Sequence, residues 1–307
     1  MKRVYLCVFI TAFFFSTMEV ALKLAGGNMD SFQLTFLRFL IGGLILLPFA
    51  LVEMKKNSVS LSLKDYAYLL LLGILCIPLS MLFFQLGVMR SNASTSSVLI
   101  CINPFFVVLF AHFLTDEKIT ATRVKILIIA LVGIIFMIKP WNMQEGNTVA
   151  GVLFMLLAAL FFGLYTVLGK ISIKKMGIMA QTSISFLLGS LVLLVIMLID
   201  GRPVFEGVPE NLLMVAYIGI FVTGVGYYSF FDAIKHSDAA TGSMAFFLKP
   251  AMAPVFAVII LGDEILWNTI VGILLILVAS YLNIYENRKK LLHAKHAALQ
   301  QDQNKSE

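Results

Sequence analysis

Ten apolar runs divide this chain, at about 4–25, 31–52, 66–89, 92–114, 122–139, 149–173, 180–199, 211–235, 239–262 and 267–285. Most are close to the roughly 20 residues that an α-helix needs to cross the hydrocarbon core of a bilayer. Open strands would leave their backbone polar groups unsatisfied there, so the runs predict ten spanning helices. Of 307 residues, 60% are hydrophobic and only 13% are charged, against roughly 25% charged in an average soluble domain. A large soluble domain on either side is excluded. The first run is read as a spanning helix rather than a signal peptide, because it contains Glu19 and Lys23 and has a counterpart later in the chain. The polar, basic stretch 287–307 is expected to be a cytoplasmic tail at the membrane surface.

The positions of Lys and Arg predict orientation. With the N-terminus in the cytoplasm, that side receives Lys2, Arg3, Lys55, Lys56, Lys64, Lys118, Arg123, Lys125, Lys174, Lys175, Lys235, Arg288, Lys289, Lys290, Lys295 and Lys305. The opposite side receives Arg90, Lys139 and Arg202. Sixteen against three satisfies the positive-inside rule with both termini cytoplasmic. Trp141 and Trp267 then fall at the outer interface. The net charge of +6 reflects this asymmetry, and no nucleic-acid partner is expected from it. Cys7, Cys76 and Cys101 lie inside apolar runs without paired spacing, which indicates neither a disulfide framework nor a zinc site.

The chain also repeats itself. Phe15 and Lys23 recur as Phe162 and Lys170, Phe39-Leu40-Ile41-Gly42 as Phe186-Leu187-Leu188-Gly189, and Asp116-Glu117 as Asp263-Glu264, all at a shift of 147. Ser91-Asn92-Ala93 matches Ser237-Asp238-Ala239 and Pro104 matches Pro250 at a shift of 146. Two units follow, at 1–142 and 143–286. Five helices per unit is an odd number, so the second copy enters the membrane from the opposite side. Such inverted repeats are a common architecture of alternating-access transporters.

Particular residues carry a family resemblance. Phe15-Ser16-Thr17 to Lys23, Leu37-Arg38-Phe39, Ser91-Asn92-Ala93-Ser94 and Asn103-Pro104 followed by Asp116-Glu117-Lys118-Ile119-Thr120 resemble the EamA-type unit of the drug/metabolite transporter superfamily. Tyr165 to Lys170, Ser237 to Thr241, Pro250 and Gly262-Asp263-Glu264 repeat that likeness, which covers about residues 1–285. It implies a ten-helix transporter of small metabolites with a cavity lined by helices 1 to 4 and 6 to 9. The family often has Trp where this chain has Phe15, and Glu19 and Lys249 are not general family features.

Ionisable groups at membrane depth cost at least about 2.5–3.5 kcal/mol on insertion scales, so each is a functional or pairing candidate. Glu19 and Lys23 share a face of helix 1; either they neutralise each other at the interface, or Glu19 faces the cavity and takes a cation or a proton. Lys249 precedes Pro250 and Pro254 in helix 9, where missing backbone donors predict a kink or unwound segment. It is either a site for a substrate carboxylate or phosphate, or a structural partner of Glu19 or Asp232. Asn103-Pro104 repeats the break in helix 4 with a neutral amide. Arg38 either braces helix packing or lines the cavity. Asp232 shares a face with Tyr228 and either pairs with Lys235 or joins the site. His112, whose imidazole changes charge near neutral pH, is a second proton-coupling candidate or a packed residue. Tyr165 and Tyr227 either stack on substrate or pack. Gln33, Gln85 and Gln181 are further polar candidates, Asp116-Glu117 and Asp263-Glu264 are read as helix-end caps, and Gly42, Gly43, Gly133, Gly189, Gly224 and Gly226 as close helix contacts or hinges.

No His-Glu-x-x-His pair, Gly-x-Gly-Asp run or phosphate-cradling loop appears, so an enzyme is not expected. The reading is a gradient-driven exporter of amino acids or related zwitterions in the plasma membrane, working as a monomer or weak dimer without a cofactor. Proton-coupled export of lipophilic cations and metabolite uptake are the alternatives, with an intramembrane enzyme or scaffold as the non-transport one.

Overall fold

The computed structural model describes residues 2–27, 29–138, 146–262, 267–268, 270–279, 281–282 and 285. Among them there is no strand, and each of the ten apolar runs carries helix. Helix α1 is Lys2–Gly26, α2 Ser31–Lys56, α3 Leu63–Met89, α5 Ala121–Ile138, α6 Val149–Met176, α7 Ile178–Ile199, α8 Leu212–Lys235 and α10 Ile270–Ala279. Helix α4 consists of Ala93–Leu99, a tight turn Ile100–Ile102, and Asn103–Leu114. Helix α9 is made of Ala239–Gly242 and Ala245–Leu261. Seven helices, α1 to α4 and α6 to α8, are long and apolar enough to cross a bilayer. Leu6, Phe9, Phe49, Phe113, Leu198 and Leu213 point outward from them, each more than half exposed, as a lipid-facing surface requires and a water-facing one disfavours.

The packing follows the repeat. Helices α2 and α7, which occupy equivalent places in the two units, form the most extensive pair. Helix α1 packs on α8 and α9, while its equivalent, α6, packs on α3 and α4. Each unit therefore completes its core with helices of the other.

Two glycine contacts repeat as well. A Cβ on Gly73 of α3 would lie 2.3 Å from the Ser185 carbonyl oxygen and 2.7 Å from the Gly189 nitrogen on α7. At the equivalent crossing of α2 on α8, a Cβ on Gly42 would lie 2.8 Å from Thr223 Cγ2 and 3.2 Å from the Gly219 carbonyl oxygen. Small residues let membrane helices approach this closely. The α3–α7 crossing is backbone on backbone, whereas the α2–α8 crossing retains a side chain between the helices.

Helices α3 and α8 each contain a π-helical segment, Leu75–Met81 and Ile218–Val225. In the broken helices the irregularity lies upstream of the aligned prolines. The tight turn Ile100–Ile102 ends just before Pro104, at the start of the following segment. In α9, Met244, Phe246 and Phe247 donate their N–H groups to the carbonyls three residues back, and the helix then runs through Pro250 and Pro254. The break expected at those two prolines is thus displaced toward Ser243–Met244. A proline ring collides with the carbonyl four residues earlier, which is Ile100 for Pro104 and Phe246 for Pro250, so the distortion falls on the preceding turn.

Lys139, Trp141, Asp263-Glu264 and the tail 287–307 lie outside the described residues. Trp267 is exposed, with its ring edge-on to Phe136 at 5.6 Å.

Candidate functional site

The deepest charges sit where α1 crosses α9. The Lys249 ammonium is 0% exposed and donates to Glu19 Oε1, with Glu19 itself 1% exposed. Of the partners open to Lys249, the structure selects Glu19 rather than Asp232. Lys249 Nζ also lies 5.3 Å from the centre of the Phe84 ring on α3, and Glu19 Oε2 has no hydrogen-bond partner among the described residues. Each ion removed from water loses several kcal/mol of solvation, which a single contact recovers only in part. The repeat equivalents are neutral: Asn103 stands where Lys249 does, at the 146 shift, and Thr166 where Glu19 does, at 147. Asn103 Nδ2 donates to the Ala159 carbonyl at 3.0 Å, and its Oδ1 has no partner among the described residues.

Arg38 on α2 is fully buried and pairs with no carboxylate among the described residues. Its Nη1 donates to Met18 Sδ at 3.2 Å and its Nη2 to the Met81 carbonyl at 3.4 Å, at the end of the π-helical segment of α3. Nε has no partner. A guanidinium carries five N–H donors in a fork that matches a carboxylate or phosphate, so this one is under-used. Asp65, Arg123 and Asp232 are also buried but sit at helix ends. The middle of the described interior therefore holds two cations, Arg38 and Lys249, against one carboxylate, Glu19.

Aromatic rings wall this region. Tyr227 on α8 is buried, with the rings of Phe15, Phe39, Phe162 and Phe186 at 5.0 to 5.8 Å. Tyr165 on α6 packs against Phe162 and Phe231, and its hydroxyl accepts from Gln181 Nε2 at 3.4 Å. Gln85 is buried on α3, and neither of its amide atoms nor the hydroxyls of Ser96, Ser190 and Thr223 has a hydrogen-bond partner among the described residues. Buried polar groups are normally satisfied by protein, water or ligand.

Other candidates lie at the helix ends. Asp232 does not pair with Lys235: it accepts from Arg3 Nε and Nη2, each at 2.7 Å, with His236 Nδ1 at 3.4 Å. The carboxylate and lysine stand three residues apart on α8, but Arg3 arrives from α1 with a fork matching both oxygens. Tyr228, half-buried one turn before Asp232, belongs to this end. His112 packs its ring on Phe113 at 5.2 Å, and its Nδ1 has no partner among the described residues. Gln33 Nε2 donates to the Glu206 carbonyl at 2.7 Å, tying down a loop.

Glu117 is more than a cap. It accepts from Lys170 on α6 at 2.5 Å and from the Ala239 N–H that opens α9 at 3.2 Å, with Arg123 at 3.8 Å. Arg123 also donates to Asp238 at 3.2 Å. The roles of Phe84, Arg3, Met18 and Met81 were invisible in the sequence. Apolar residues carry no signal of what they touch, and Arg3 had served only to orient the chain.

The EamA-like transporter family model matches residues 2–139 and again 149–285. An uncharacterized transporter of Clostridium kluyveri is 38% identical over 296 residues, covering 94% of this chain and 95% of that protein. A protein of Rickettsia prowazekii named an S-adenosylmethionine uptake transporter is 23% identical, covering 95% of each. A crystal structure aligns with TM-score 0.72 at 17% identity, covering 94% of this chain and 99% of its own, which shows a shared fold. The relatives point to membrane transport rather than catalysis. With two family matches over a bundle of apolar helices, this multi-pass membrane protein belongs to the EamA-like transporter family.

Proposed function

We propose that the protein is a gradient-driven, alternating-access carrier of small zwitterionic metabolites, amino acids or their close relatives. The observation that carries this reading is the excess of buried cation at the centre: Arg38 and Lys249 face a single carboxylate, Glu19. A substrate carboxylate supplies the missing negative charge and fills the open donors of Arg38. Its ammonium group then finds Glu19 and the aromatic wall around Tyr227. S-adenosylmethionine, in the name of the Rickettsia relative, is itself an amino-acid derivative with both groups. A lipophilic cation fits less well, since it leaves the open donors of Arg38 unfilled and adds a further positive charge beside Arg38 and Lys249.

The proposed topology is ten spanning helices in two inverted units, 1–142 and 143–286, with the tail 287–307 and both termini in the cytoplasm. The sixteen-to-three distribution of basic residues supports it. So does the exchange of packing partners between α1 and α6. A carrier built this way works in either direction, and outward flux is expected when the cytoplasmic pool is higher. The test is counterflow in proteoliposomes with radiolabelled zwitterionic amino acids, and with lipophilic cations and inorganic anions as comparison panels. Saturable exchange of the zwitterions supports the reading; exchange of cations alone, or of nothing, overturns it.

A further inference from the structure

Four lysines converge on a cavity far from the central charges. It has a volume of about 430 Å³ and is lined by Lys170, Lys174, Lys175 and Lys235, with Ile173 and Ile234 among its apolar walls. Three parts of the chain build it: the last turns of α6, the end of α8, and the loop after α2 through Asn57 and Val59. Gly177 forms part of its wall. Its φ is +88°, and a Cβ there would stand 2.5 Å from the Glu53 carboxylate, which is itself engaged by the Met179 N–H at 2.8 Å.

The charges do not cancel. Glu117 takes Lys170 and Asp65 takes Lys175, at 2.5 and 2.6 Å. Lys174 and Lys235 are exposed and form no ion pair among the described residues. They come from different helices and meet only at this cavity, so two uncompensated ammonium groups share one concave space. Like charges so placed repel each other and favour an anion between them. An ammonium group is a compact point-charge donor suited to phosphate oxygens, and basic pockets between membrane helices hold phosphorylated headgroups.

We propose that this cavity is a binding site for a phosphate-bearing anion, held chiefly by Lys174 and Lys235 and bounded by the apolar side chains of Ile173 and Ile234. The phosphate belongs either to an anionic phospholipid headgroup or to a soluble phosphate. The site is separate from the central one and does not depend on the substrate assigned there.

The experiment uses the full chain, purified and placed in nanodiscs of phosphatidylcholine with or without phosphatidylglycerol, and separately titrated with inorganic phosphate. Thermal stability and lipid retained in native mass spectrometry are the readouts. The double variant Lys174→Gln/Lys235→Gln is expected to lose at least fivefold in affinity for the anion. Lys118→Gln/Lys125→Gln, which removes two exposed lysines outside the cavity, is expected to bind as the parent does. Binding of phosphatidylglycerol alone assigns a lipid headgroup, and binding of inorganic phosphate assigns a soluble ligand; both uphold the site. Equal loss in the two double variants, or binding of neither anion by a folded parent, overturns it.

Discussion

Phe39 and Phe186 meet edge to face with ring centres 4.7 Å apart, and they are the same position of the repeat, 147 residues removed. One side chain thus touches its own counterpart where α2 and α7 pack, as across the axis of a symmetric dimer. Both rings also contact Tyr227.

This pair should behave as a coupled unit. Aromatic pairs add about 0.5–1.5 kcal/mol beyond area burial. A double-mutant cycle of Phe39→Leu and Phe186→Leu, followed by denaturant unfolding in detergent, is expected to return a coupling of that size. Strict additivity would mean that the two rings stabilise the bundle independently.

The ion pair yields a sharper contrast. Removing one partner of a buried pair costs about 3–5 kcal/mol, while replacing both is often neutral. Glu19→Gln should therefore destabilise strongly, and Glu19→Gln combined with Lys249→Met should recover most of that stability. If the double variant is as unstable as the single one, the pair is not the source of the loss. Counterflow separates fold from function, because the stable double variant is expected to remain inactive.

Arg38→Lys keeps the charge but removes the fork. A hydrogen bond to a charged group contributes about 1.5–3 kcal/mol, so half-saturation for carboxylate-bearing substrates should rise about tenfold to a hundredfold. Amide analogues, which lack the anion, should show little change. Equal losses for acid and amide would reduce Arg38 to a packing role.

The glycine crossings predict an order of damage. An alanine at Gly73 or Gly189 drives a methyl into opposing backbone, 2.3 or 2.4 Å from the nearest atom, and overpacking costs about 1–3 kcal/mol or more. Gly42→Ala meets a threonine methyl first, which can turn aside. Thermal unfolding should rank Gly42→Ala as the mildest of the three.

Much of this architecture was legible because the membrane makes hydrophobic runs and stray charges conspicuous. The runs located the helices, and Gly42 and Gly189, expected to be close contacts or hinges, do stand at tight crossings, although their partners Thr223 and Gly73 carried no signal. Lys249 and Glu19 were each visible as a charge in an apolar run. Their pairing was one of several left open, since a single sequence carries no distance between α1 and α9. Arg38 showed its charge but not its unmatched donors, which depend on what α1 and α3 bring near it. The displaced break in α9 was hidden because the missing N–H belongs to proline while the collision belongs to the residue four places earlier.

The neutral counterparts of the ionic contact have a consequence for the resting molecule. Glu19 and Lys249 clasp α1 to α9, whereas Thr166 and Asn103 occupy the corresponding places on α6 and α4. If the two units exchanged roles with identical chemistry, the inward-facing and outward-facing forms would have equal energy. In the proposed alternating-access cycle, a latch at the α1–α9 crossing with no ionic counterpart at the α6–α4 crossing is expected to tilt that balance, so that the empty carrier rests facing one way and a ligand engaging either member of the latch releases it.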